Sequence, residues 1–369
     1  MISTTAFPGR YVQGAHAFKR LGREMARFGT RGFLICDPYV LERLLPDFRE
    51  DIEKDIQLVV ERFGGECSDE EIGRIVEIAV KTGCEVVAGM GGGKTADTAK
   101  AVAGALKLPV VVAPTIASTD APCSAESVIY TPDGVVKRFI YHKRNPDVVI
   151  MDTYVVAQAP SRFLVAGMGD ALATWFEAES CRQKHAPNVT RDYGSLTAHA
   201  LARLCYDTLL EHGPSAKLAC DSHVVTPALE HIIEANTLLS GLGFESGGLA
   251  AAHAIHNGLT VLPRTHELFH GEKVAFGVLA SLFLTDKPSE LVDEVYCFCE
   301  DVGLPTTFEA VGLAGVSDED LLKVAERAIV KGESIHNEPM PVTAESVQAA
   351  LKMADAAGRR RLERRQSCG

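Results

Sequence analysis

A run of three glycines and a lysine, Gly91 to Lys94, places the strongest constraint on what this chain can fold into. The mostly apolar run Glu85 to Met90 precedes it, and from Thr95 to Leu106 apolar residues recur at helical spacing. This order predicts a strand, a tight turn and a helix. Glycines let backbone N–H groups approach an anion closely, and a helix N-terminus adds about half a positive charge. The turn therefore predicts a phosphate-binding site.

Two common phosphate-binding motifs fit this turn poorly. A Walker A loop requires a glycine five residues before the Gly-Lys pair, where this chain has Ala88. The dinucleotide motif G-x-G-x-x-G would begin at Gly89 and would place Lys94 at its third glycine. A purely structural turn stays open as an alternative, but three consecutive glycines and a lysine favour an anion site.

Length and charge limit the class of protein. The chain has 369 residues, 46% of them apolar, which predicts two globular domains of about 150 residues or more each. Its formal charge of −12 argues against nucleic acid and anionic membranes as partners. We find no signal peptide and no apolar run of about 18 residues, and the ten cysteines form no C-x-x-C pair, so we expect a cytoplasmic protein with reduced thiols.

The first half of the chain alternates strand and helix patterns. Strands are predicted at Gly32 to Cys36, Gln57 to Phe63, Cys84 to Met90, Leu108 to Ala113 and Val148 to Met151, helices at Ala15 to Phe28, Val40 to Lys54 and Asp69 to Thr82, and a hairpin at Ser127 to Tyr141. Such alternation predicts an α/β domain, residues 1–158, with a parallel sheet. Ligands of these sheets bind at the carboxyl ends of the strands, where Asp37, Gly91 to Gly93 and Thr115 to Asp120 fall.

The second half, residues 159–369, is predicted to be an all-α domain, with a hinge and a cleft near residue 158. It contains candidate metal ligands: Asp170, the pair His253 and His256 one turn apart, and His270. One aspartate and two histidines suit zinc with an open fourth position, as in catalytic sites. Two alternatives stay open for these residues, because an aspartate at a helix start is often an N-cap and a histidine on an apolar helix is often a packed core residue.

A competing motif lies nearby. His266 to His270 matches H-E-x-x-H, the helix of zinc peptidases in which two histidines bind metal and the glutamate acts as base. Its context argues against a peptidase, because Pro263 precedes it and Gly271 follows the second histidine at once.

Five segments together resemble the glycerol dehydrogenases, a family of the iron- and zinc-dependent group III alcohol dehydrogenase superfamily. They are GGGKTADTAKAVA (Gly91 to Ala103), APTIASTDAPCSAESVIYTPDG (Ala113 to Gly134), GMGDALATWFEAESC (Gly167 to Cys181), GGLAAAHAIHNGLT (Gly247 to Thr260) and HGEKVAFG (His270 to Gly277). The resemblance implies a dehydroquinate synthase-like fold, in which the parallel sheet binds a dinucleotide. It also implies a homo-oligomer, commonly an octamer.

The resemblance implies a role for each matching residue. Asp170, His253 and His270 would bind zinc and, through it, the substrate. Asp120 would hold a substrate hydroxyl. NAD would contact Asp37, Gly92, Gly93, Lys94, Thr95, Asp97, Thr115, Ser118, Ser124, Glu126 and Tyr130. His266 would then be a bystander in an accidental H-E-x-x-H match.

The implied reaction is the reversible, NAD-dependent oxidation of glycerol to dihydroxyacetone, with other 1,2-diols as further substrates. Iron-dependent relatives use a histidine where this chain has Thr174, which favours zinc. His256 is a candidate proton relay, and a supporting role behind a ligand is an equal alternative. Other polyols, glycerol 1-phosphate and a non-catalytic NAD sensor stay open as weaker alternatives.

Glu126 departs from the family pattern, because an apolar residue, usually leucine, is expected beside the cofactor. A carboxylate there would weaken NAD binding unless solvent or Lys137 compensates for its charge.

Overall fold

A parallel six-stranded sheet dominates the first half of the computed structural model, which describes residues 2–134 and 136–368. Its strands are Tyr11–Gly14 (β1), Arg31–Cys36 (β2), Gln57–Arg62 (β3), Val86–Gly91 (β4), Val110–Pro114 (β5) and Val148–Asp152 (β8). They lie in the order β1-β8-β5-β4-β2-β3, and every neighbouring pair is parallel. A separate antiparallel hairpin pairs Glu126–Tyr130 (β6) with Val136–Tyr141 (β7).

The predicted fold class, a parallel-sheet α/β region followed by a helical region, is confirmed. The α-helices are Leu21–Met25 (α1), Leu45–Glu53 (α2), Asp69–Thr82 (α3), Gly93–Leu106 (α4), Thr153–Gln158 (α5), Ser161–Lys184 (α6), Leu196–Asp221 (α7), Pro227–Glu234 (α8), Ser240–Gly247 (α9), Ala251–Leu259 (α10), His270–Leu284 (α11), Ser289–Val302 (α12), Asp318–Ala328 (α13) and Ala344–Cys368 (α14). No described helix is both long enough and apolar enough to cross a bilayer.

Successive side chains of the sheet point to opposite faces, and each face is covered by helices. Leu34 and Cys36 of β2 pack with α1 and α2, while Phe33 and Ile35 pack with α3 and α4. All four side chains are fully buried. Burying an aliphatic or phenyl side chain contributes roughly 1.5–3 kcal/mol to stability. A strand that is covered by helices on both faces gains this from every residue, which is why β2 is a continuous apolar run.

The order of the strands reverses at one point of the sheet, beside β2, and this point matters for ligand binding. From β2 it runs outward to β3, and it then returns to β4 on the other side of β2. Asp37, which follows β2, and Gly91, which ends β4, therefore lie at the carboxyl ends of two adjacent strands. In open α/β sheets this reversal of strand order is where ligands bind.

Before β2, two observed elements differ from the sequence predictions. Tyr11–Gly14 was not predicted as a strand, because four residues are too few for a pattern and its partner, β8, lies far along the chain. The helix predicted at Ala15 to Phe28 begins late, with a 3₁₀ turn at Ala17–Arg20 followed by α1. His16 has a left-handed φ of 59°, and the Asp152 carboxylate accepts its N–H, so the chain turns there before the helix begins.

Packing divides the chain into two compact units. One, which we call the α/β unit, consists of Ala6–Ser161 and Ala219–Gly241. The other, the helical unit, consists of Met1–Thr5, Arg162–Leu218 and Leu242–Gly369. The functional domains 1–158 and 159–369, and the hinge between them, stay predictions.

In the helical unit, Gly303 ends α12 in the left-handed conformation, and Arg361 of α14 binds Glu300 of α12 at 2.7 Å.

Candidate metal centre and glycine turn

Asp170 is the buried carboxylate of the helical unit that the sequence predicts as a metal ligand. It is 1% exposed and lies within the long apolar stretch of α6. Because α6 begins at Ser161, nine residues earlier, the alternative that Asp170 caps a helix N-terminus is wrong. A carboxylate buried in mid-helix needs charged or coordinating partners to offset the loss of its hydration.

Two histidines supply those partners. Nε2 of His253, near the start of α10, lies 3.4 Å from Oδ1 of Asp170, and Nε2 of His270, the first residue of α11, lies 3.1 Å from the same oxygen. One ligand atom from each residue falls within 4.8 Å of the other two. This is the spacing that three protein ligands need around one ion, and it occurs at no other cluster in the described part of the chain.

Glycines bring α6 and α11 close enough to form this group. A Cβ built on Gly271 would lie 1.8 Å from the carbonyl oxygen of Ala166, and one built on Gly169 would lie 2.4 Å from the carbonyl oxygen of Gly271. No side chain fits at either position without moving backbone. The Gly-Asp pair on α6 and the His-Gly pair on α11 thus place His270 directly over Asp170.

Glu177 orients the His253 ring. It lies two turns after Asp170 on α6 and is 2% exposed. One carboxylate oxygen lies 2.6 Å from Nδ1 of His253, and the other accepts the backbone N–H groups of Ala250 and His253, both at 2.9 Å. A carboxylate on one ring nitrogen leaves the other nitrogen available to a metal and makes it more basic.

His256 occupies the corresponding position behind His270. Its Nε2 lies 3.0 Å from Nδ1 of His270, and its own Nδ1 lies 3.1 Å from Oδ1 of Asn257. Asn257 in turn donates to Glu333 at 2.9 Å, and Glu333 binds Arg327. Both candidate ligand histidines, His253 and His270, therefore have Nδ1 engaged by a side chain and Nε2 directed at Asp170, which is the orientation a shared ion requires.

The charges of this group shift the pKa values of its members. Burial raises the pKa of the Asp170 carboxyl, but the His270 and His253 rings outweigh burial and hold that pKa below its ordinary value. Burial lowers the pKa of His253, and Glu177 and Asp170 outweigh it and raise the pKa well above the ordinary value. Burial, His270 and Lys273 all lower the pKa of His256, which favours a neutral ring whose Nε2 accepts a hydrogen bond from Nδ1–H of His270.

The H-E-x-x-H segment lacks the structure a peptidase requires. His266 and Glu267 lie in turns after a 3₁₀ segment, Pro263–Thr265, and α11 begins only at His270. The two histidines are therefore not on one helical face, and Nε2 of His266 lies 3.0 Å from the carbonyl oxygen of Thr260. The peptidase alternative is wrong.

The glycine turn of the α/β unit has the predicted strand, turn and helix. Gly91 ends β4, Gly92 has the N-cap position, and α4 begins at Gly93. A Cβ built on Gly91 would lie 2.6 Å from Oγ1 of Thr95 and 2.9 Å from Cβ of Asp37. The first turn of α4 contains no acidic residue, so its backbone N–H groups can face an anion.

Lys94 is already held at this turn by other groups. Its Nζ lies 2.5 Å from a carboxylate oxygen of Glu66 and 5.0 Å from the centre of the Tyr130 ring. Asp37 likewise has a contact of its own, because its Oδ1 accepts the N–H of Tyr39 at 2.9 Å. An anion at the turn would therefore compete with Glu66 for the lysine.

Comparison with known proteins decides the family. A model of the iron-containing alcohol dehydrogenases matches residues 8–153. A glycerol dehydrogenase of Thermotoga maritima is 65% identical over 98% of this chain and 99% of its own, and one of Citrobacter freundii is 49% identical over 99% and 100%. The crystal structure of glycerol dehydrogenase from Schizosaccharomyces pombe superimposes with a TM-score of 0.94 at 38% identity, covering 99% of this chain and 93% of the other. The chain belongs to the glycerol dehydrogenase family.

In this member of the glycerol dehydrogenase family, the residues predicted to contact the cofactor, together with the predicted substrate residue Asp120, fall into two groups by exposure. Gly92, Gly93, Asp37, Lys94, Ser118, Glu126 and Tyr130 are partly exposed, whereas Thr95, Asp97, Thr115, Asp120 and Ser124 are buried. The buried ones have interior partners: Asp97 accepts the N–H of Val128, and Asp120 accepts the Ser240 hydroxyl at 2.7 Å. Their contacts with a cofactor stay predictions.

Sequence reasoning missed Glu177 and Glu338. Glu338 is 2% exposed and accepts the Ser180 hydroxyl at 2.7 Å and the N–H of Ala251 at 3.0 Å. The two carboxylates therefore hold the N-terminus of α10, the helix that carries His253. A signal for Glu177 is its spacing, seven residues after Asp170 and thus on the same face of α6. No local pattern marks Glu338, which reaches α10 from a distant loop.

Lys137, considered as a partner for Glu126, instead binds Asp69 at 2.8 Å.

Proposed function

We propose that this chain is an NAD-dependent glycerol dehydrogenase that oxidises glycerol to dihydroxyacetone reversibly with the help of one zinc ion per subunit. The observation that carries the proposal is the group of Asp170, His253 and His270, whose ligand atoms lie within 4.8 Å of one another. The full-length similarity to glycerol dehydrogenases supports the same reaction.

The donor set fits zinc. One carboxylate and two imidazole nitrogens are ligands that zinc accepts in catalytic sites with an open position, and each histidine has its second nitrogen held by a side chain. When bound, zinc supplies Lewis acidity that lowers the pKa of a coordinated hydroxyl. Thr174, one turn after Asp170, is fully buried and replaces the further histidine of iron-dependent relatives.

The residues of the chain have distinct tasks in this proposal. Asp170, His253 and His270 hold the ion, while Glu177 and His256 fix the two imidazole rings. Since both nitrogens of His256 are engaged, by His270 and Asn257, its contacts support a positioning role over that of a proton relay.

In the α/β unit, the turn from Gly91 to Lys94 binds the cofactor pyrophosphate, and Asp37 accepts the hydroxyls of the adenosine ribose. Asp120 holds a substrate hydroxyl, and Thr115, Ser118, Ser124, Glu126 and Tyr130 line the rest of the cofactor. We further propose a cytoplasmic homo-oligomer, an octamer by resemblance to the family.

Following NADH formation with a panel of alcohols, before and after chelation, tests the proposal. Glycerol and 1,2-propanediol should be oxidised and 1-propanol poorly, because a mono-alcohol offers one ligand oxygen in place of two. A chelator should abolish the reaction, and added zinc should restore it. NAD binding without turnover on any diol would indicate a sensor, and equal kcat/KM for 1-propanol would contradict chelation by the substrate.

A further inference from the structure

Lys100 is a buried cation that neither the metal centre nor the glycine turn explains. It lies on α4, the helix that follows the turn, and its side chain is 2% exposed. Its Nζ lies 2.9 Å from Oδ1 of Asp97 and donates to the carbonyl oxygens of Ala121, at 3.1 Å, and Glu126. The ammonium thus has two carbonyl acceptors and one carboxylate as neighbours inside the protein.

These contacts bridge the segment 121–126 at both ends. Ala121 begins a 3₁₀ turn directly after Asp120, and Glu126 begins β6. The segment between them has further contacts, because the Asn145 side chain donates to the carbonyl oxygen of Cys123 and the His142 N–H donates to that of Ala125. The two contacts of Lys100 add a link between its two ends. An apolar side chain of similar length would avoid the cost of burying a charge but could not hold two carbonyl groups together.

Two further hydrogen bonds join α4 to the residues that follow this segment. The second carboxylate oxygen of Asp97 accepts the N–H of Val128 at 3.0 Å, and the Ser127 hydroxyl donates to the carbonyl oxygen of Asp97 at 3.0 Å. α4 therefore has the proposed phosphate turn at its N-terminus. One to two turns later on the same helix, Asp97 and Lys100 hold the segment 120–128 through these contacts. That segment contains Asp120, Ser124 and Glu126, which are proposed to lie by the substrate and the nicotinamide.

We propose that Lys100 is a positioning residue that fixes the segment 120–128 relative to the phosphate turn, and so aligns the nicotinamide half of the cofactor and Asp120 for hydride transfer. This inference rests on the proposed NAD-dependent reaction. Lys100 itself contacts neither cofactor nor substrate. Its loss should therefore affect the nicotinamide half of NAD and the rate of turnover, and should leave the adenosine and pyrophosphate half bound as before.

The test compares Lys100→Met with Lys107→Met in binding NAD and ADP-ribose, which lacks the nicotinamide. Lys107 is the exposed residue that ends α4, so its variant should match the wild type. For Lys100→Met we expect kcat to fall by about tenfold or more and the Kd of NAD to rise by about fivefold, since buried hydrogen bonds are lost. The Kd of ADP-ribose should stay within about twofold.

Two results would overturn the inference. One is a folded Lys100→Met protein with the kcat of the wild type, and the other is an equal loss of affinity for NAD and ADP-ribose. If Lys100→Met does not fold, Lys100→Arg keeps the charge beside Asp97 but cannot place both carbonyl groups as the smaller ammonium does. Its kcat should fall by about threefold or more, and an unchanged kcat would contradict the inference. A wild-type protein that binds NAD but forms no NADH would contradict the proposed function, while the binding ratio would still test Lys100.

Discussion

The Glu177 carboxylate contacts His253 at two points, with one oxygen 2.6 Å from the ring nitrogen Nδ1 and the other 2.9 Å from the backbone N–H. The same side chain thus sets both the position of the helix start and the rotation of the ring. This pairing ties α6 to α10 through one buried charge, and it gives His253 a single orientation toward Asp170.

Replacing Glu177 by glutamine should weaken zinc binding by about 10- to 100-fold, because the neutral amide no longer raises the basicity of His253. Competition with a chromophoric zinc chelator measures the Kd directly, without reference to turnover. Glu179→Gln is the matched control, since Glu179 lies on the same helix and binds Arg182. Equal zinc affinity in Glu177→Gln and the control would contradict the role assigned to Glu177.

Gly271→Ala should force α6 and α11 apart, because its Cβ would lie 1.8 Å from the carbonyl oxygen of Ala166. We expect the free energy of unfolding to fall by roughly 1–3 kcal/mol, together with a loss of zinc affinity. Denaturant unfolding and zinc titration give the two quantities. Gly73→Ala, in α3, is the control, since a Cβ there meets no atom within 4 Å and should not destabilise the protein. A Gly271→Ala protein as stable as the control would refute the close-contact argument.

His142 should make the free energy of unfolding depend on pH. Burial and the charge of Lys100 lower its pKa to about 4, and its Nε2 lies 2.8 Å from the Ser127 hydroxyl. Between pH 6.5 and about 4 the unfolded chain binds a proton here that the folded protein does not, so stability falls as the pH falls through this window. After allowance for screening by solvent, the contribution is on the order of 1–2 kcal/mol.

Unfolding measured at several pH values checks this contribution. In His142→Gln the decrease between pH 6.5 and 4 should be smaller than in the wild type, whereas His231→Gln, at an exposed position, should leave it unchanged. Identical pH profiles for all three proteins would show that His142 does not contribute.

Asp37 should make the enzyme prefer NAD over NADP. A 2′-phosphate beside this carboxylate would be repelled by a few kcal/mol at an effective dielectric near 20, or roughly a hundredfold in kcat/KM. Asp37→Ser removes the charge yet keeps an oxygen that can accept the N–H of Tyr39, so helix capping should survive. The NAD/NADP ratio of kcat/KM should fall by about tenfold. If the ratio stays the same, Asp37 serves only as a cap.

The sequence predicted those parts of the fold that depend on local patterns. The apolar runs of β2 and β4, the glycine turn and the amphipathic α3, capped by Ser68 and Gly83, all lie where expected. Tyr11–Gly14 was missed because its strand pairing with β8 is a long-range contact with no local signal.

The three candidate metal ligands were predictable for a similar reason, and the residues that contact them were not. Asp170, His253 and His270 stand out as unusual residue types within apolar or glycine-rich segments. Glu177, Glu338 and Lys100 are equally buried, but each acts through groups that only the folded chain brings near. The N-cap alternative for Asp170 assumed that a helix starts at this residue, whereas α6 begins at Ser161 and Gly169 lies within the helix in contact with α11.

Zinc binding and turnover of Asp170→Asn, measured on the same samples, test the central claim most directly. The wild type should bind one zinc ion per subunit and form NADH from glycerol. Asp170→Asn should lose zinc affinity by about 100-fold or more, together with turnover, and should keep its Kd for NAD within about twofold. Asp207→Asn, which changes an exposed aspartate of α7, should behave as the wild type. An Asp170→Asn protein that oxidises glycerol at the wild-type rate in zinc-free buffer would contradict the account.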